Sequence, residues 1–211
     1  MIALDSRGHG KSDKPLQYTL DDHVKDVISL LDHLKIERAS ILGVSMGSYI
    51  AQGVAVTHPE RVDKLILVVP KSNGKTTSMK ELLARHKDEL KGLGGEEQMQ
   101  FLSKHIYHNF SAIQKRITEI GQYETILTSE QQEAASKALE AFDFRQQLPY
   151  VIAETLVISG KYDGLNPPER GREIAILLPH ASFVEFENSG HIPPAEEPER
   201  FLKVVTDFLE Q

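Results

Sequence analysis

The chain has 211 residues, 40% hydrophobic and 26% charged, the make-up of a globular protein able to bury one sizeable core. Its formal net charge of -7 argues against nucleic acid or an anionic membrane surface as the main partner, since either needs a basic patch to displace counterions. With no cysteine, disulfides, zinc thiolate centres and cysteine nucleophiles are excluded.

Residues 1–4 are apolar and end at Asp5, which predicts a buried strand delivering a loop. No basic segment or cleavage site follows Met1, and the longest apolar runs are of strand length, so a cytoplasmic chain with no bilayer span is expected. The loop Asp5-Ser6-Arg7-Gly8-His9-Gly10-Lys11-Ser12 fails as a phosphate loop, because Asp5 stands where the first glycine belongs. It fails as a dinucleotide fingerprint too, with Asp13 in place of the third glycine. Thr19 and Asp22 form a capping-box pattern, after which Leu20, Val24, Val27, Ile28, Leu31 and Leu34 recur at helical spacing. His23 and His33 are expected on the polar side of that helix, at the surface.

Residues 39–44 read as a short buried strand, and residues 46–57 as a helix with an apolar face. Between them Gly43-Val44-Ser45-Met46-Gly47 sets one serine between two glycines at a strand-to-helix turn, the pattern of a nucleophile elbow. A serine hydroxyl must stand clear of the backbone to reach a carbonyl carbon, and a sharp, strained turn achieves this if Gly43 and Gly47 stay small. The helix then aims its N-terminal amides at the same point, and Met46 would donate one to a developing oxyanion.

Residues 65–69, closed by Pro70, suit a strand buried on both faces, so a parallel sheet wrapped by helices is expected. From 71 to 148 no strand signal appears, and Leu82, Leu83, Phe101, Leu102, Ile106, Ile113, Ile117 and Ile120 recur at helical spacing. This predicts a helical insertion. His105 and His108 lie three apart on one helix face but lack a carboxylate partner, so no metal site is expected. Asn109-Phe110-Ser111 is formally a glycosylation sequon, of little meaning without a secretory signal. Strands resume at 155–160, leading to Asp163; Pro167-Pro168 opens a helix through 178; and a strand over 182–186 leads to Ser189-Gly190-His191. A last amphipathic helix carries Phe201, Leu202, Val205, Phe208 and Leu209.

In an open parallel sheet, reactive groups gather beyond the carboxyl ends of the strands. Ser45, Asp163 and His191 each follow a predicted strand, in the chain order Ser, Asp, His. Together with the segment from Leu4 to Ser12 and with His58-Pro59-Glu60-Arg61-Val62, these motifs make the chain resemble an alpha/beta-hydrolase-fold serine hydrolase, most similar to small esterases and enol-lactonases. The resemblance implies an α/β core of residues 1–70 and 149–211 with a mostly parallel sheet, and a helical cap at 71–148. It also implies a catalytic triad of Ser45, Asp163 and His191, Met46 in the oxyanion hole, no cofactor or metal, and a small ester or lactone as substrate. Aspartate at the elbow, as in dehalogenases and epoxide hydrolases of this fold, is ruled out by Ser45.

The family's sheet begins with further strands, and the loop after its third strand supplies a second oxyanion amide that this sequence lacks. A fragment of a longer hydrolase, or a short form with an incomplete oxyanion hole, is therefore expected, with either direct pairing of residues 1–4 and 39–44 or an open edge inviting association into a homo-oligomer. Competing readings are a ligand-binding or regulatory protein on the same fold and a cofactor-free perhydrolase or haloperoxidase. Phe101, Tyr107, Phe110 and Tyr123 of the insertion would suit a hydrophobic substrate if they face inward, and otherwise form the insertion's own core.

Overall fold

The structure, a computed structural model, describes residues 1–111, 113–114 and 127–211. Of the insertion's apolar residues, Ile117, Ile120 and Tyr123 lie outside the described set. Helix α1 (Leu20–His33) is followed by strand β1 (Ala39–Val44), helix α2 (Met46–Thr57) and strand β2 (Val62–Val68). Helices α3 (Ser78–Arg85), α4 (Gly95–Ile106) and α5 (Ser129–Lys137) come next. Strand β3 (Glu154–Gly160), helix α6 (Pro168–Leu177), strand β4 (Ala181–Phe186) and helices α7 (Pro193–Glu196) and α8 (Pro198–Glu210) complete the chain. No helix of the described residues is long and apolar enough to cross a membrane.

The four strands form one sheet in the order β1-β2-β3-β4, and all three pairs are parallel. Parallel strands need both faces covered, and β2 shows how the sequence provides for it. Leu65 and Leu67 enter a core shared with Val24 of α1, Val54 of α2 and Ile174 of α6, whereas Ile66 and Val68 point to the opposite face against Phe186 and the α8 residues Phe201 and Phe208. None of these four β2 side chains is more than 1% exposed, and burying one such side chain is worth roughly 1.5–3 kcal/mol. The strands at 65–69 and 155–160 are the central pair, as the unbroken apolar run of the first implies.

At the sheet's other end two expectations are corrected. Residues 1–4 form no strand, and Met1, Ile2 and Leu4 are exposed. Four residues without ladder hydrogen bonds or a covering layer cannot offset the entropy of ordering them. Strand β1 forms over the expected span but is not buried: it pairs with β2 alone among the described residues, which is the open edge expected as the alternative to pairing with residues 1–4, and Leu42 is 44% exposed. The loop that follows residue 4 closes on itself, with the Asp5 carboxylate accepting from the Lys11 amide at 2.9 Å, and it is tied to α1 by a two-pronged Arg7–Asp26 ion pair at 2.8 and 2.6 Å.

Helix α1 starts at Thr19 with the expected reciprocal cap. His23 departs from expectation: it is 2% exposed, edge-on to the Tyr18 ring at 5.2 Å. The position lies on the margin of the apolar stripe, three residues from Leu20, and the loop carrying Tyr18 folds over that margin. Burial first, and then the neighbouring His9 and Arg7 charges, hold the imidazole's pKa below its usual range. Between β2 and β3 the described residues form helices, with one isolated antiparallel bridge, Asn73 to Asp143, joining the two ends of the excursion.

Candidate active site

The turn from β1 into α2 leaves Ser45 at φ 52°, ψ -114°, a conformation that non-glycine residues rarely adopt and that costs about 1–3 kcal/mol. It is held from both sides. The Ser45 amide continues the parallel ladder to the Val68 carbonyl at 2.9 Å, while the Ser48 amide and hydroxyl donate to the Ser45 carbonyl at 2.9 and 2.6 Å. Of the two glycines thought necessary, only one is sterically forced. A Cβ on Gly43 would stand 2.0 Å from the Gly47 carbonyl oxygen, because strand and helix cross there in backbone contact. A Cβ on Gly47 would meet nothing within 4 Å.

Beyond the same edge of the sheet, β3 delivers Asp163 and β4 delivers His191, which are 3% and 9% exposed. Ser45, His191 and Asp163 converge. His191 Nδ1 lies 2.8 Å from Asp163 Oδ2, and His191 Nε2 lies 2.8 Å from Ser45 Oγ. An ionised carboxylate only accepts, so Nδ1–H donates to Asp163, leaving the Nε2 lone pair to accept from the serine hydroxyl. Asp163 is itself fixed: its Oδ1 accepts from the Leu165 and Asn166 amides, each at 2.9 Å. The arrangement can take a proton from Ser45 and hold the resulting imidazolium charge. Met46, the first residue of α2, presents its amide at the helix N-terminus beside that hydroxyl, where the helix dipole favours negative charge.

Sequence reasoning missed Asn166, which is fully buried. Its Nδ2 donates to the Tyr49 hydroxyl at 2.8 Å and to the Val69 carbonyl at 2.7 Å, while its Oδ1 accepts from Ser78 Oγ at 2.6 Å. One side chain thereby joins the Asp163 loop to α2, to the end of β2 and to α3. Val69, like Ser45, has a positive φ, 46°, so strained residues end two adjacent strands. A polar residue three positions past a strand-end aspartate was the available signal. Lys71 was also passed over. It is 3% exposed, with Nζ donating to the Thr76 carbonyl at 2.7 Å; burial lowers its pKa to about 8 against the opposing pull of Glu81.

The remaining candidates fall outside this convergence. His105 packs against the His86 and Phe101 rings at 4.1 and 4.7 Å, and His108 stacks on Tyr162 at 4.1 Å; no group of three metal-binding side chains occurs among the described residues. Phe101 and Tyr107 pack on the cluster of Leu82, Leu90, Leu102 and Ile106, and Phe110, stacked on Tyr107, is 37% exposed.

Comparison with known proteins agrees with the fold. The chain is 28% identical over 215 residues to 3-oxoadipate enol-lactonase 2 of Acinetobacter baylyi, an alignment covering 100% of this chain and 79% of the relative. It is 29% identical over 225 residues to a 2-hydroxy-6-oxononadienedioate/2-hydroxy-6-oxononatrienedioate hydrolase of Paraburkholderia phymatum, covering 100% and 76%. The crystal structure of an enol-lactonase from Burkholderia xenovorans superposes with a TM-score of 0.81 at 28% identity, covering 98% of this chain and 79% of that one. Residues 1–198 match the family described as alpha/beta hydrolase fold, and the chain belongs to that family.

Proposed function

We propose that the protein is a serine hydrolase that cleaves a small carboxylic ester or lactone through an acyl-enzyme. Ser45 Oγ attacks the acyl carbon while His191 Nε2 takes its proton; the same proton then goes to the leaving oxygen. Asp163 holds the ring in the required tautomer and offsets its charge, and the Met46 amide donates to the oxyanion. Water, deprotonated by His191, then releases the acid and restores the serine. The observation carrying this reading is the unbroken Ser45–His191–Asp163 hydrogen-bond chain, 2.8 Å at both links. The ester and lactone class draws support from the enol-lactonases among its relatives. Residues 71–148 act in this reading as a cap on a core of residues 1–70 and 149–211. The test is a fluorophosphonate probe, followed by hydrolysis of a panel of short-chain esters and lactones. The wild type should be labelled at one site and Ser45→Ala not at all; labelling that survives the substitution would refute the assignment.

A further inference from the structure

Residues around His191 are held by a carboxylate that the reaction itself does not use. Glu196, at the end of α7, accepts four backbone amides. Its Oε1 takes Gly190 N–H at 2.9 Å and Ile192 N–H at 3.2 Å, on either side of the imidazole, and its Oε2 takes His108 N–H at 2.8 Å and Asn109 N–H at 3.0 Å, just beyond α4. The C-terminal end of α4 reaches the same loops directly. The His191 amide donates to the Ile106 carbonyl and the Gly164 amide to the His105 carbonyl, both at 2.8 Å. The approach is close enough that a Cβ on Gly190 would stand 2.4 Å from the Ile106 oxygen, and one on Gly164 2.3 Å from the His105 oxygen. A carboxylate has about four acceptor sites, and water can fill them at a part-exposed position such as this one. Four amides drawn from two separated segments instead fix both segments relative to one point, and that point lies between the base and the helical segment.

We propose that Glu196 is a positioning residue for His191, acting through the amides on both sides of it and tying the base's loop to residues 105–109. Its work is to hold the imidazole in line between Ser45 and Asp163, where a displacement of about 1 Å can cost on the order of a hundredfold in rate. This rests on the reading of His191 as the base. Glu196→Gln is nearly isosteric, but its single carbonyl oxygen can serve only one pair of amides, leaving its NH2 group facing the other pair. The variant should therefore lose about 10- to 100-fold in kcat on p-nitrophenyl acetate with KM within about threefold of wild type. Amide hydrogen exchange followed by NMR should show faster exchange at one of the two pairs, Gly190 with Ile192 or His108 with Asn109, while the strands keep their protection. Should that variant fail to fold, Glu196→Asp keeps the charge but shortens the reach between the two segments, and the same rates and amides are read. A kcat within twofold of wild type, or a fall in kcat with all four amides protected as before, overturns the proposal. A wild type that takes no fluorophosphonate at Ser45 overturns the reading of the base instead, so the two failures are distinguishable.

Discussion

Replacing Asp163 by asparagine tests the relay through its hydrogen-bond polarity. In the native chain Asp163 Oδ1 accepts two amides, Leu165 and Asn166, and Oδ2 accepts one proton, from His191 Nδ1. An asparagine at this position has two orientations. Turning its NH2 toward the Leu165 and Asn166 amides sets donors against two donors, one part-buried and one buried, at about 1–3 kcal/mol for a buried one left unsatisfied; turning it toward His191 opposes only one. The side-chain oxygen therefore stays on the two amides, and the NH2 faces His191 Nδ1. The imidazole answers by moving its proton to Nε2, where it points at the Ser45 hydroxyl and cannot take a second. Wrong-tautomer exchanges of this kind cost on the order of 10⁴ in kcat, or roughly 5.5 kcal/mol of barrier. The assay is kcat on p-nitrophenyl acetate with the fluorophosphonate labelling rate, and nitrogen-15 NMR of the ring reads the tautomer. The isosteric change leaves packing intact, so melting should move by only a few degrees. Activity within tenfold of wild type, or an unchanged tautomer, would refute the reasoning.

The elbow and the buried amine give two further expectations. Gly43→Ala places a Cβ 2.0 Å from the Gly47 carbonyl oxygen and should cost more than about 4 kcal/mol in urea unfolding, whereas Gly47→Ala enters open space early in α2 and should be neutral or stabilising by up to about 1 kcal/mol; the reverse order would contradict the geometry. For Lys71, below pH 8 both the folded and the unfolded chain hold the proton, and the cost of burying the charge is fully present. Between about 8 and the ordinary 10.5 the folded chain sheds it first, the unfolded chain binds more protons, and stability rises with pH by up to about 3 kcal/mol. Lys71→Met should thus be more stable than wild type at pH 7 by about 2 kcal/mol, allowing roughly 1 kcal/mol for the lost bond to Thr76, and the advantage should be gone by the top of that window. An advantage that does not change with pH would show that the amine is not the cause.

Local signals read well wherever a segment's own residues decide its state. Thr19 with Asp22 marks the start of α1 because the cap is satisfied within four residues, and the unbroken apolar run at 65–69 marks a strand buried on both faces because both faces must be apolar. The convergence of Ser45, Asp163 and His191 was legible for a similar reason, since in a parallel sheet every strand's carboxyl end lies on one edge. What was not legible depends on distant partners. Residues 1–4 are as apolar as a strand, but a strand exists only where a neighbour accepts its ladder. His23 has the spacing of a polar-side residue until the Tyr18 loop covers it. Asn166 and Glu196 are polar loop and helix-end residues with no periodicity, and their importance lies wholly in which backbone groups the fold brings to them.

Two strained backbones, Ser45 and Val69, end neighbouring strands, and the same few contacts stabilise both. The Ser45 amide is held by the Val68 carbonyl, the Val69 amide by the Ile158 carbonyl at 2.7 Å, and the Val69 carbonyl by Asn166, whose own amide grips Asp163. Strain of about 1–3 kcal/mol at each residue persists only where surrounding structure over-determines it. Here the over-determining bonds run from the serine's strand to the aspartate's loop, so the residue that must be aimed and the residue that fixes the imidazole cannot relax independently. The rigid part of the site is consequently the sheet edge with Asp163. The histidine lies farther past the end of its strand than the aspartate does, and it is there that the structure spends four amides and a carboxylate on holding a loop in place.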